Sequence, residues 1–317
     1  MLAIVILNYN GKTFLERFLP TVLAHTKTEN TAIYVADNAS TDDSVAFVRT
    51  AFPSVKIQEL SENFGFAEGY NQSLRQITAD YYLLLNSDVE VTEGWLEPML
   101  ELMESDEAVA AVQPKIRSFN EKTLFEHAGA AGGWLDVLAY PFCKGRILAT
   151  LETDNGQYDE TSECFWATGA CMLVRAHLFH TLGGLDADYF AHMEEIDWCW
   201  RAKRAGFRIM CAPQSVVYHV GGGTLPKTNP RKTYLNFKNS LITILKNAPC
   251  DKVFVMIPSR LILDGVAGVV FLTEGKFQDI LMIIKAHWHF FAAIPHTMRK
   301  RKIANERIEQ QRIAEPN

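Results

Sequence analysis

At 317 residues the chain is long enough for one large α/β domain or two small ones, and 48% hydrophobic with 21% charged residues is a balance that fills a core. A net charge of −6 excludes a chain-wide polyanion binder, so no nucleic-acid partner is expected; the dense basic run Arg299-Lys300-Arg301-Lys302 is confined to the end. The six cysteines (Cys143, Cys164, Cys171, Cys199, Cys211 and Cys250) form no C-x-x-C pair and no zinc spacing, and read as buried thiols in a reducing compartment.

Residues 1–7 are apolar but short, lack a basic flank and run directly into Asn8-Tyr9-Asn10-Gly11, which does not fit a signal peptide. The catalytic part is therefore expected to face the cytosol. Residues 3–7 form an aliphatic run suited to a strand buried on both faces. A helix is expected over 13–25, where Phe14, Phe18, Val22 and Leu23 share one side, and a second strand over 32–36, stopped by Asp37-Asn38-Ala39-Ser40. Residues 41–50 read as a helix with Asp42 and Asp43 in its first turn, where the helix dipole favours anions. A strand over 55–60, a helix over 67–78 and a strongly apolar strand over 81–85 follow. Strands alternating with helices imply parallel β-α-β units and a doubly wound sheet, which binds ligands outside the carboxyl ends of its strands. Polar clusters stand at three such ends: Asn8-Tyr9-Asn10, Asp37-Asn38 and Asn86-Ser87-Asp88. They are expected to converge on one crevice.

The stretch 109–219 is less regular. It holds a glycine-rich segment at 129–133, an acidic loop at 154–163, an apolar strand over 165–174 and a helix within 186–206 that Gly206 stops. A short strand at 215–218 precedes His219. Residues 253–272 match a membrane span in length but contain Arg260 and Asp264, four apart and able to pair. A second apolar stretch, 280–294, carries Trp288, Phe290 and Phe291 and leads to the basic run. Apolar, aromatic and basic residues together suit helices lying in a membrane interface, with the basic side chains on anionic cytoplasmic lipid; the alternative is packing on the main domain or on a second subunit.

The pieces Ile4-Val5-Ile6-Leu7-Asn8-Tyr9-Asn10-Gly11, Val35-Ala36-Asp37-Asn38-Ala39-Ser40-Thr41-Asp42, Asn63-Phe64-Gly65-Phe66-Ala67 and Leu83-Leu84-Leu85-Asn86-Ser87-Asp88, in that order, resemble family 2 glycosyltransferases of the GT-A fold, in the style of the rhamnosyltransferase-like branch. The resemblance covers about residues 1–240. It implies a Rossmann-like, mixed but mostly parallel sheet flanked by helices, with 1–118 as the nucleotide-sugar-binding half, 119–240 as the acceptor-binding half and 241–317 as a helical, membrane-associating extension.

The implied activity is inverting transfer of a sugar from a UDP- or dTDP-linked donor to a saccharide or polyprenyl-linked acceptor, at the cytoplasmic side of the inner membrane, with Mg²⁺ or Mn²⁺. The donor would meet Asn8, Tyr9, Asn10, Asp37, Asn38, Asn63, Gly65, Asn71, Asn86 and Asp88. Asp37 would accept the base N–H, since a carboxylate only accepts; an Asx turn is its alternative. Asn86-Ser87-Asp88 stands at the D-x-D position with one carboxylate fewer; Asp88 would bind the cation, and His219 would supply a second metal contact or touch the diphosphate, a core or turn histidine being its alternative. Gly221, Gly222 and Gly223 would bend over the phosphates, with Arg231 and Lys232 beside them. In Glu194-Glu195-Ile196-Asp197, Glu195 matches the catalytic base and Glu194 and Asp197 are further candidates, though Asp197 is also placed to bond Arg201 at i+4. Trp166, Thr168 and Gly169 are read as acceptor-side or core residues. Two rivals are weighed. A nucleotidyltransferase would need a glycine-rich basic loop where Asn8-Tyr9-Asn10-Gly11 stands, and an inactive scaffold is supported only by Asn86.

Overall fold

The computed structural model describes residues 1–27, 29–126, 129–147, 150–221 and 229–312. The first half alternates as expected: β1 (Leu2–Asn8), α1 (Lys12–His25), β2 (Thr31–Asp37), α2 (Ser44–Ala51), β3 (Lys56–Glu59), α3 (Gly65–Leu74) and β4 (Tyr81–Asn86). Then come β5 (Val89–Val91), α4 (Glu97–Ser105) and β6 (Val109–Ser118), followed by two small hairpins, β7 (Gly133–Leu135) with β8 (Pro141–Cys143) and β9 (Arg146–Ile147) with β10 (Thr150–Leu151). The chain closes with β11 (Ser162–Cys164), β12 (Cys171–Arg175), α5 (Ala176–Thr181), a 3₁₀ turn at Ala187–Tyr189, α6 (Glu194–Arg204), β13 (Arg208–His219), α7 (Pro230–Asn247), α8 (Cys250–Thr273) and α9 (Phe277–Gln311).

The main sheet runs β11-β13-β6-β12-β4-β1-β2-β3, with β5 on the end of β13. β1 is parallel to β2 and β4, β2 to β3, and β13 to β6, whereas β12 lies antiparallel between β4 and β6. The sheet is thus mixed and mostly parallel, and it is covered on both faces. Alternate residues sort by pleat: Ala3, Val5, Tyr82, Leu84, Met172 and Val174 join the layer of α3, α5 and α6, while Ile4, Ile6, Leu83, Leu85 and Leu173 join that of α1 and α4. The strand order reverses between β4 and β1, where an open α/β sheet forms its ligand crevice.

Several local expectations are corrected. Asp42 and Asp43 precede α2 instead of lying in its first turn; Asp42 Oδ1 accepts the Ser44 N–H at 3.0 Å and so closes the turn before the helix. The apolar run 165–174 is a strand only from Cys171, because Gly133 and Trp166 pack together and bend the chain before it. β13 is longer than expected and ends on His219. Helix α7 continues unbroken across residue 240. Cys250 is exposed, and the other five cysteines are buried. Arg260 and Asp264 form no direct ion pair: Arg260 Nη1 donates to the Leu138 and Ala139 carbonyls at 3.1 and 3.2 Å, and Asp264 faces His287 of α9 at 2.9 Å. Half of the basic run also turns inward. Arg301 is buried and donates to Leu245 and Ala248 carbonyls, and Lys300 pairs with Asp186 and Asp188.

Candidate active site

The strand register brings the polar ends level. Leu7 pairs with Asn86 across β1 and β4, and Asn8 with Asp37 across β1 and β2. His219 ends β13 opposite Val89, which places it beside Asp88. Asn8 Nδ2 donates to Asp37 Oδ1 at 2.9 Å, and Asp37 Oδ2 accepts the Ser40 N–H at 2.9 Å, so the Asx turn is present. Asn10 has φ +52 and its Oδ1 accepts the Thr41 N–H, tying the first loop to the second. Tyr9 is exposed beside them.

Asn38 works as a clasp for the next loop. Its Nδ2 donates to Asn63 Oδ1 and to the Gly65 carbonyl, and its Oδ1 accepts the Phe64 N–H. Gly65 has φ +76 and a Cβ there would lie 2.7 Å from the Phe190 ring, so only glycine fits. Asn71 sits further along α3 and grips Leu185, its Nδ2 donating to the carbonyl at 2.7 Å and its Oδ1 accepting the N–H at 3.0 Å. It ties α3 to the loop before α6. The Asn86 side chain forms no hydrogen bond among the described residues, whereas its backbone N–H is held by Ala170.

Asp88 and His219 face each other, Oδ1 to Nε2, at 3.1 Å, both buried. Burial raises the Asp88 carboxyl, but the His219 charge and hydrogen bond, with backbone N–H donors that include Gly221, outweigh it and leave Asp88 below the usual range. Burial lowers His219, but Asp88 and Glu126 together push it up to about 10. Glu126 lies 3.6 Å from His219 Nδ1, a charge contact beyond hydrogen-bond length. It was missed in the sequence, where its one signal is a lone acid in the apolar stretch around residues 124–131. Gly222 and Gly223 lie outside the described residues. Arg231, at the start of α7, stacks over the Phe190 ring at 4.5 Å, and burial, with the Lys232 charge second, pushes His192 down to about 4.

The acids of α6 divide by environment. Asp197 is fully buried and saturated: it accepts from Arg201 at 2.8 and 3.0 Å, Lys246 at 2.9 Å and Asn247 at 2.7 Å. Desolvation raises it, but Lys246 and Arg201 outweigh that and hold it below the usual carboxylate range. It is the structural alternative of the two weighed for it. Glu194 and Glu195 each keep one buried carboxyl oxygen without a partner. Burial and then the neighbouring Glu195 charge push Glu194 well above its ordinary value, and burial pushes half-buried Glu195 up to about 7. Trp166 and Thr168 are core: Trp166 donates to the Trp134 carbonyl, and Thr168 N–H to Gln113 Oε1. Gly169 backs onto Phe66.

Among the described residues no three acidic, histidine or cysteine groups form a closed cage for a metal ion. The ionised Asp88 carboxylate is the oxygen donor a hard divalent cation would take, with its remaining oxygens from substrate phosphates; His219 would ligate it only on giving up its proton.

Comparison with known proteins agrees with this geometry. The glycosyl transferase family 2 model matches residues 3–183. N-acetylglucosaminyl-diphospho-decaprenol L-rhamnosyltransferase of Mycobacterium tuberculosis is 24% identical over 234 residues, covering 69% of this chain and 76% of that protein. Rhamnosyltransferase WbbL of Escherichia coli is 24% identical, covering 69% and 83%. Among solved structures, S. aureus TarS 1–349 in complex with UDP superposes with a TM-score of 0.59 at 14% identity, over 98% of this chain and 88% of that one. GalNAc-T7 with UDP, GalNAc and Mn²⁺ gives 0.57 at 14% identity, over 82% and 54%. With a GT-A fold, paired acids opening α6 and a family model that spans more than half its length, this chain belongs to glycosyl transferase family 2, in its rhamnosyltransferase-like branch, and is a glycosyltransferase.

Proposed function

We propose that this glycosyltransferase moves a sugar from a UDP- or dTDP-linked donor, with inversion, to a hydroxyl of a saccharide or polyprenyl-linked acceptor in cell-surface polysaccharide synthesis. What supports this reading is two unlike centres in a family 2 fold: Asp88 facing His219 at 3.1 Å at the end of β13, and half-buried Glu195 opening α6 with a raised pKa and an unpartnered oxygen. Asn8, Tyr9, Asn10 and Asp37 would receive the nucleoside end, and Asp88 with His219 would hold Mg²⁺ or Mn²⁺ at the diphosphate. The bound cation supplies charge neutralisation of the departing diphosphate. Glu195 takes the acceptor O–H proton as that oxygen attacks the anomeric carbon. The new C–O bond forms opposite the breaking bond to phosphate oxygen, and the nucleoside diphosphate leaves with the electron pair. The relative from M. tuberculosis is named for a lipid diphosphate-linked acceptor, which supports the same acceptor class here.

The tail supports a place on the inner leaflet. In α8 the buried residues Met256, Arg260 and Asp264 lie at i, i+4 and i+8, so both charges turn to protein. Its other faces expose Phe254, Val255, Ile262, Val266 and Val269, and α9 exposes Leu281, Ile284 and Trp288. Apolar surface of this extent marks an interface or a membrane contact. The full chain is expected to float with vesicles containing anionic phospholipid, and Ile262→Glu with Val266→Glu is expected to leave it in the soluble fraction.

A panel of nucleoside diphosphate sugars, scored by thermal stabilisation with and without Mn²⁺, tests the donor class. At a concentration about 100 times Kd a true donor adds about 2.7 kcal/mol by mass action. A Mn²⁺-dependent rise with a uridine or thymidine diphosphate sugar is expected; no response to any of them would overturn the reading.

A further inference from the structure

The four residues before the catalytic acids form an unusually strained turn. Phe190, His192 and Met193 have φ of +63, +70 and +79, a region that costs a non-glycine residue about 1–3 kcal/mol and persists only when its surroundings enforce it. The sequence offers no glycine there. What enforces it comes from α7, about fifty residues further on. Asn239 is fully buried, and its Nδ2 donates to the carbonyls of Tyr189 at 3.1 Å, Ala191 at 3.0 Å and His192 at 2.9 Å. All three partners are acceptors, which fixes the amide orientation. One helical turn on, Thr243 donates to the Tyr189 hydroxyl at 2.9 Å, and Lys246 and Asn247 bind Asp197 within α6 itself. Asn239, Thr243, Lys246 and Asn247 stand at i, i+4, i+7 and i+8, on one buried polar face of the helix.

We infer that Asn239 is a positioning residue for transfer: it holds the strained 190–193 turn in the shape that aims Glu195 at the acceptor, so α7 completes the active site. Phe190 also gives its carbonyl to the Phe66 N–H, so the same turn closes on the loop beside the donor crevice. The inference rests on Glu195 being the base. Its physical content is that the turn's backbone, left to itself, relaxes to negative φ and draws the α6 N-terminus out of register. A displacement of about 1 Å at a reacting group is enough to cost on the order of 100-fold in rate.

The test uses the full chain with a responsive donor and acceptor. Asn239→Asp keeps shape and volume but removes both N–H donors, and Asn239→Ala removes the group. In both, kcat is expected to fall about 10- to 100-fold, while donor KM and Mn²⁺-dependent thermal stabilisation by the donor stay within twofold. His192→Gly, which accepts positive φ without strain, is expected to recover several-fold of kcat in the Asn239→Ala background and to give no gain in the parent. An unchanged kcat overturns the inference. So does a parallel fall of kcat and donor affinity, or loss of a cooperative unfolding transition in both variants, because each assigns Asn239 to folding alone. Glu195→Gln is the control. If the parent transfers no sugar, or Glu195→Gln is fully active, the reading of function fails instead.

Discussion

Glu195→Gln is expected to lower the rate of sugar transfer about 10²- to 10⁴-fold, the range for a lost general base, while leaving donor affinity unchanged. The substitution keeps size and one acceptor oxygen but cannot take up the proton, so the loss reports chiefly on proton transfer. The pH profile gives a second signature. Burial raises Glu195 to about 7, so the parent gains rate as pH rises through neutrality and the base becomes ionised. In Glu195→Gln that limb disappears. Initial rates of nucleoside diphosphate release with acceptor, from pH 5.5 to 8.5, check both. The same shift carries a stability consequence whose sign follows from linkage. A carboxyl whose folded pKa exceeds its unfolded one adds stability below the unfolded value, and that contribution is lost as pH rises through the folded value. The parent should therefore lose stability between about pH 4.5 and 7, and Glu195→Gln should melt higher than the parent at pH 8, with the gap closing at pH 5. Full activity in Glu195→Gln with loss in Glu194→Gln would move the base by one residue.

How much of this could be read from the chain depended on whether the information was local. The strands β1, β2 and β4 were legible because each is a short aliphatic run cut off by polar residues. The convergence of Asn8, Asp37 and Asn86 followed from strand ends in a parallel sheet, and the register puts them level. The bonds of Asn71 were not legible: its motif neighbours, Asn63 and Gly65, sit at the start of α3, whereas two turns of helix carry Asn71 to Leu185. Asp197 shares a motif with Glu195, yet helical periodicity turns it inward to Arg201 and to α7. Glu126 and Asn239 were invisible for a common reason: each acts on a residue about fifty to ninety positions away, and nothing in its own neighbourhood marks it. The tail shows the same limit. Length and hydropathy mark α8 as long and apolar enough to cross a membrane, but only its contacts reveal that Arg260 and Asp264 face protein.

Asp88→Ala is expected to reduce kcat/KM about 10³-fold, near 4 kcal/mol in the transition state, the scale at which a fixed group facing developing charge acts. The reason for so large an effect is the thinness of this donor set. Where the resembling motif has two acids, this chain has Asn86 and Asp88, so on the proposed reading a single carboxylate beside His219 would hold the cation. The variant should still fold, because the lost partner leaves His219 with Glu126 at 3.6 Å, and neutral imidazole is tolerated where an unpaired buried lysine or arginine would not be. Its donor should bind without the Mn²⁺-dependent increment of thermal stabilisation, and that separates loss of the cation from loss of the nucleoside pocket. Equal stabilisation by donor plus Mn²⁺ in parent and variant would place the cation elsewhere. Metal-dependent hydrolysis of donor in the parent, absent from Asp88→Ala, would in turn exclude a scaffold that has kept the fold and given up the chemistry.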